Sequence, residues 1–530
     1  MPYRKASAFP PGLTVYQIYP RSFKDSNNDG IGDLLGIISK LDYIKDLGVD
    51  AIWLCPIFPS PMVDFGYDIS EYQDVDPIFG NLSDLERLIE QAHKRGIRIL
   101  LDLVANHTSD QHEWFRQSKS SRDNPKRSWY IWRDGQTGDQ PPNNWLALFG
   151  GSAWEFDPLT RQYYMHSFAK QQPDLNWQNE EVRQAIKQVM NFWLKKGVDG
   201  FRMDAVNFYA KDPSFSDDPV NPAFNAHRDS PYDQLLHYKS MGQPKMFDYL
   251  RELTGVLESY GDRFMILEAS FSILFDVTSY INFYRNTDTR VASPFNFIDL
   301  YLPWDAINFQ RFINDFQGRM LPSYTPVYMT GNHDRPRLAT RIGADSIKAA
   351  AVLFLTLPGA SVIYYGEEIG MENSDIAISH TQDVYEKNIP GLGLGRDPER
   401  TPMQWSNAPN AGFSGHEPWL PIGQNYLDCN VQAEIQVKNS VLNLYKVLVS
   451  LRSGSDAISK GTYQPLELTH PDLLGFIREY KRHKLAIVIN FSKAHPAPCI
   501  VNGKLILSTY GESVAQNLLQ PLEARILELD

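Results

Sequence analysis

Four short stretches place acids, a guanidinium and two histidines where they could share one reaction. In GFRMDAVN, side chains alternate along an extended segment, so Arg202 and Asp204 share one side while Phe201 and Met203 face the other. A guanidinium beside a carboxylate lowers its pKa and fixes its rotamer, which suits an ionised nucleophile, although such a pair also serves purely structural ends. FMILEAS sets Glu268 behind four apolar residues, where lost hydration would raise its pKa and keep a proton ready for donation. GNHD puts His333 beside Asp334, a further carboxylate whose repulsion would raise Glu268 again. LLDLVANH carries Asp102, Asn106 and His107, though a lone histidine is more often structural.

Each stretch closes an apolar run. LTVYQIYP (13–20), VDAIWLCP (49–56), IRILLDLVANH (97–107), VDGFRMDA (198–205), FMILEAS (264–270), TPVYMTGNHD (325–334) and ASVIYYGEE (360–368) are apolar without clean alternation, as in strands covered on both faces. Amphipathic helices are predicted between them, as in LSDLERLIEQAHKRG (82–96) and NEEVRQAIKQVMNFWLKKG (179–197), each ending at glycine after basic residues. Alternation over this many units predicts an α/β fold with a parallel sheet closed as a (β/α)8 TIM barrel, whose active site lies at the C-terminal ends of the strands. Arg202 with Asp204, Glu268, and His333 with Asp334 then close separate strands around one pocket. One ionised and one protonated carboxylate across a glycosidic bond is the equipment of a glycoside hydrolase.

Two segments break the rhythm. Residues 106–176, rich in Trp, Asn, Asp, Gly and Pro, read as a small domain inserted after the third strand. From 455 to 530, strand runs without intervening helices (LLGFIREY, KLAIVINFS, KLILSTY, ARILELD) read as a C-terminal antiparallel β domain. The barrel accordingly takes residues 1–105 and 177–454.

Composition narrows the partners. A net charge of −12 over 530 residues, with no Lys/Arg run longer than two, argues against nucleic acid and anionic membranes. Aromatics reach 12%, which would suit the apolar faces of sugar rings as well as a large core. Cys55, Cys429 and Cys499 are odd in number and far apart, so neither a disulfide framework nor a zinc site is expected. MPYRKASAFPPGLTVYQ holds no apolar stretch of signal-peptide length, and no run of ~18 apolar residues occurs, so a cytoplasmic location is expected.

DSNNDGIGD (25–33) repeats oxygen side chains at Asp25, Asn27, Asp29 and Asp33, with Gly30 at a tight turn. An EF-hand would need a bidentate acid at the twelfth position, which is Gly36, and the preceding IYPRSF is a strand exit rather than a helix. An EF-hand is therefore excluded, while a metal loop of another kind and an unmetallated Asx-rich turn both stay open.

The chain resembles the α-amylase superfamily of glycoside hydrolases, in particular its bacterial α-glucosidase and oligo-1,6-glucosidase branch. IYPRSFKDSNNDGIGDL, GYDISEY, DLVANHTS, QPDLNW, GFRMDAVN, GNHD, YYGEEIGM and RDPERTPMQW carry the resemblance, in the family's order and over nearly the whole chain. It implies Asp204 as the nucleophile, Glu268 as the general acid/base, and Asp334 as a third carboxylate gripping the 2- and 3-hydroxyls. Arg202 would orient Asp204, and His107 and His333 would bond sugar hydroxyls. Tyr67 would stack under the terminal glucose, Asp64 would hold its 4- and 6-hydroxyls with Arg400 as basic partner, and Phe168 would form a pocket wall. The resemblance also implies one structural calcium or magnesium ion held by Asp25, Asn27, Asp29, the Ile31 carbonyl and Asp33.

A closed pocket of this kind implies exo-acting, retaining cleavage of short α-glucosides. Leu267 stands where the branch commonly has glycine, a departure directly before Glu268. Ala205 stands where members preferring α-1,6 bonds usually carry valine, so maltose- or sucrose-type substrates are expected over isomaltose. The same covalent intermediate would serve a transglucosylase or sucrose isomerase, with residues 207–245 and 370–398 deciding the acceptor. A non-catalytic relative, such as a transporter-associated domain, is the remote alternative. The protein is expected to act as a monomer or homodimer.

Overall fold

A computed structural model describes residues 9–137, 140–269, 277–297, 300–511 and 517–530. Eight parallel strands close a barrel in sequential order: β1 (Thr14–Ile18), β2 (Ala51–Leu54), β3 (Arg98–Leu103), β4 (Gly200–Met203), β5 (Phe264–Leu267), β6 (Ala292–Asn296), β7 (Val327–Met329) and β8 (Ala360–Tyr364). Seven of them fall in the seven predicted runs; Ser270, at the end of the fifth run, lies outside the described residues. The eighth, β6, is ASPFN. Serine, proline and asparagine hide it from a hydrophobic pattern, yet all five residues are buried. Pro294 lies in register with Leu267 of β5, and Phe295 and Asn296 pair with β7, so the barrel closes through a strand that its own composition disfavours.

Local signals explain the neighbouring helices. Asn81 caps the helix Leu82–Lys94 by accepting from the Ser83 and Asp84 amides, while Asp84 returns a bond to the Asn81 amide. Its buried face, Leu85, Leu88, Ile89 and Ala92, has helical spacing. The helix Glu180–Lys195 starts from an Asn179 cap and carries Glu180 and Glu181 in its first turn, where acids favour the helix dipole. At Gly200 only glycine fits, because a Cβ would lie 1.8 Å from the Phe264 carbonyl oxygen and would force β4 away from β5.

The insert contains the helix Glu113–Ser120 and a three-stranded sheet made by Trp132–Arg133, Trp154–Asp157 and Gln162–Met165. The C-terminal region forms a five-stranded antiparallel sheet in the order 462–465, 473–480, 483–490, 524–529, 504–508. Its first strand, Thr462–Pro465, has no apolar run and was not expected. No helix among the described residues is long and apolar enough to cross a membrane.

Candidate active site

The strand ends converge on a single guanidinium. Asp102 of β3 lies in register with Arg202 of β4. Arg202 Nη1 donates to Asp102 Oδ1 at 2.8 Å and to Asp204 Oδ1 at 2.7 Å, and its Nη2 stands 2.8 Å from Glu268 Oε2. Arg202 and Asp204 thus share one side, as alternation predicts. Glu268 differs from expectation. Its side chain is 18% exposed and ion-paired, not alone in an apolar pocket, and its Oε2 also accepts from the Ala205 amide at 2.9 Å. Four apolar residues end at Leu267, and the chain then turns Glu268 toward the guanidinium. Leu267 is buried in β5, and the Glu268 amide continues the ladder to the Met203 carbonyl at 3.0 Å.

Asp204 also departs from the sequence reading. Burial raises its pKa against the pull of Arg202, and the nearby Glu268, Asp102 and Asp334 charges add to the rise. Burial likewise lifts Asp102 to about 6. Several acids around one guanidinium cannot all ionise together, so the cluster titrates as a unit and shares protons.

Asp334 answers to two arginines. Arg400 Nη2 donates to its Oδ1 at 3.0 Å and Arg396 Nη1 at 3.2 Å. Burial opposes its ionisation, but the Arg396 and Arg400 charges outweigh burial and hold its carboxyl below the ordinary range. The partner of Asp64 is therefore not Arg400 but Arg396, whose Nη2 donates to Asp64 Oδ1 at 2.7 Å. The 3-10 turn Asp397–Glu399 separates the two arginines and brings both toward the pocket. Arg400 turns inward to Asp334 and the His333 carbonyl (2.7 Å), which leaves Arg396 to reach Asp64. Burial raises Asp64 against the pull of Arg396.

The rings pack around these charges. His333 lies between Tyr19 and Tyr67, with centroids 5.9 and 5.2 Å away and planes within 18° and 6° of parallel. One face of Tyr67 is thus taken by His333, and its hydroxyl donates to Asp102 at 2.9 Å. Burial pushes His333 well down, so its ring is neutral. Gln17 of β1 donates to His333 Nδ1 at 2.8 Å, placing the ring proton on the buried Nε2, which lies 3.1 Å from Asp334 Oδ2. Burial lowers His107 to about 4, and its Nε2 donates to the Tyr67 carbonyl at 3.0 Å. Phe168 packs against His107, Phe149 and Phe208 at centroid distances of 5.0, 5.8 and 5.1 Å, which makes it a wall between the insert and β4.

Three participants escaped the sequence reading. Arg396 was visible in RDPER but spacing could not choose between the two arginines. Gln172, which donates to Asp64 Oδ2 at 3.1 Å, lies in the quoted QPDLNW region without a signal of its own. Asp383 belongs to no motif.

The loop 25–33 stands apart from this cluster. Asp25 accepts from the Asn27, Asn28 and Gly30 amides and the Ser414 hydroxyl, Asp29 from the Ile31 amide, and Asp33 caps the helix Leu34–Ser39 through the Gly36 amide. Gly30 (φ +88°) is required, since a Cβ would meet the Glu417 carbonyl oxygen at 2.2 Å. The donor set is hard oxygen throughout, but these oxygens face the loop's own amides, and no three His, Cys, Asp or Glu side chains among the described residues form a metal-holding group.

Acids and arginines gathered at the C-terminal ends of eight parallel strands define a sugar-cleaving barrel. The chain belongs to the α-amylase family, glycoside hydrolase family 13, whose catalytic-domain model matches residues 17–461. It is 38% identical to oligo-1,6-glucosidase of Parageobacillus thermoglucosidasius over 97% of this chain and 98% of that protein. It resembles the crystal structure of the α-glucosyl transfer enzyme XgtA with a TM-score of 0.91 at 37% identity, covering 98% and 100% of the two chains. For the trehalulose synthase MutB of Pseudomonas mesoacidophila MX-45 the TM-score is 0.87 at 34% identity, covering 98% of each chain.

Proposed function

We propose that this glycoside hydrolase is an exo-acting, retaining α-glucosidase that removes terminal glucose from short maltose- or sucrose-type α-glucosides. The observation that carries this reading is the single Arg202 guanidinium bonded to both Asp204 and Glu268. It holds two carboxylates on adjacent strands for work at one glycosidic bond. Asp204 attacks C1 while Glu268 gives its proton to the departing oxygen; Glu268 then takes a proton from water, which releases the glucosyl group with its α configuration restored. The Nε2–H of His333 stands beside the Asp334 carboxylate at the pocket, and the Asp64–Arg396 pair closes the pocket behind one glucose.

The linkage preference rests on Ala205, which stands where members preferring α-1,6 bonds usually carry valine and which here adopts a left-handed conformation (φ 46°, ψ 41°). Incubation with maltose, isomaltose, sucrose and trehalose, with products identified, tests the reading; isomaltose as the best substrate would overturn it. Transfer of the glucosyl group to a sugar acceptor is the second reading, favoured by the likeness to XgtA and MutB. Product analysis with excess acceptor separates it from hydrolysis.

A calcium or magnesium ion at Asp25, Asn27, Asp29, the Ile31 carbonyl and Asp33 is part of this proposal, as a brace outside the reaction. Asp25 bonds to Ser414 and the Gly30 carbonyl accepts from the Trp419 amide, so the loop already ties the N-terminal region to residues 414–419. A cytoplasmic location fits three free cysteines.

A further inference from the structure

Asp383 lies in the 370–398 segment, off the barrel strands, yet it is fully buried and holds the arginine that faces Asp64. Its Oδ2 accepts from the Arg396 amide at 2.9 Å, and Arg396 Nε lies 3.1 and 3.2 Å from its two oxygens. The Arg396 Nη2 group also donates to it. On the other side of the neck, the Gln382 and Asp383 amides donate to Asp397 Oδ2 at 2.6 and 3.0 Å. Residues 383–396 therefore form a loop closed at its base by two carboxylates. The body of that loop, the helix Val384–Asn388, packs Val384 and Tyr385 with Phe149 and Phe168, and the Tyr385 hydroxyl donates to Ser230 Oγ at 3.1 Å.

A guanidinium has two edges. Asp383 occupies the Nε edge of Arg396, so the remaining N–H groups are aimed at Asp64 (2.7 Å) and Asp334 (3.2 Å). Without that clamp, a long side chain facing two other carboxylates has several rotamers open to it.

We propose that Asp383 is a positioning residue that fixes Arg396 against Asp64 and so sets how tightly the pocket grips the 4- and 6-hydroxyl end of the terminal glucose. The inference rests on the α-glucosidase reading. The test compares an aryl α-glucoside with the corresponding aryl α-xyloside, which lacks the 6-hydroxymethyl group, in the wild type, D383N and D383E. In D383N, kcat/KM for the glucoside should fall roughly 10- to 100-fold, mainly through KM, the scale of one charged hydrogen bond. The xyloside should change by less than about 3-fold, and D383E should recover part of the preference. A glucoside-to-xyloside ratio equal to that of the wild type overturns the inference, whether or not the melting temperature falls. If D383N does not fold, R396K carries the test, since it keeps the charge but lacks the Nε that Asp383 holds; it must lose the same preference. A wild type that cleaves no aryl α-glucoside sinks the functional reading, and the inference with it.

Discussion

Arg202 meets Asp204 at 2.7 Å through the same Nη1 that bonds Asp102, so the proposed nucleophile shares its cation with a second, fully buried acid. Asp102 is itself held by the Trp53 indole at 3.0 Å and the Tyr67 hydroxyl at 2.9 Å. That frame fixes the guanidinium, and the guanidinium fixes Asp204.

Asp204→Asn should retain the fold, because an amide replaces a buried carboxyl that burial already disfavours as an anion. Turnover should fall by about 10⁴-fold or more, since an amide does not form the glucosyl ester. In the wild type, NMR of the first-formed glucose should show the α anomer. Initial release of the β anomer would rule out retention.

Ala205→Val should shift preference toward isomaltose and also cost stability. Holding valine at φ 46° is worth about 1–2 kcal/mol of strain. Chemical denaturation and the maltose-to-isomaltose ratio of kcat/KM check the two effects independently.

Glu367 makes a pH-dependent contribution. It is buried beside Thr330, which donates to its Oε2, while its Oε1 finds no partner. Burial pushes its carboxyl up to about 7. A folded value above the unfolded one means that its stabilisation is fully present below the ordinary glutamate range and is lost as pH rises through about 7. Glu367→Gln should therefore gain stability over the wild type on going from pH 5 to pH 8, by roughly 1–3 kcal/mol. A constant difference across that range would remove Glu367 from the pH dependence.

Chelation tests the loop 25–33. If calcium or magnesium braces it, EDTA should lower the melting temperature and added ion should restore it, with activity at 25 °C nearly unchanged. Equal melting curves with and without chelator would mean that the loop's internal amide bonds suffice. Loss of activity without loss of stability would contradict a bracing role.

Local order along the chain marked seven of the eight barrel strands, the two capped helices, the insert and four of the five C-terminal strands, because buried strands need unbroken apolar runs and helices advertise their caps. It also exposed Arg202, Asp204, Glu268, His333 and Asp334, because a barrel displays whatever follows its strands. Strand β6 stayed hidden, since ASPFN is buried by its neighbours and not by its own hydrophobicity. The choice of Arg396 over Arg400 for Asp64, the contact of Asp383 with Arg396, the ion pair at Glu268 and the raised pKa of Asp204 were decided only in three dimensions. Each depends on which charges lie within a few ångströms once distant segments close on one another, and Coulomb and desolvation energies follow distance and burial, not position in the chain.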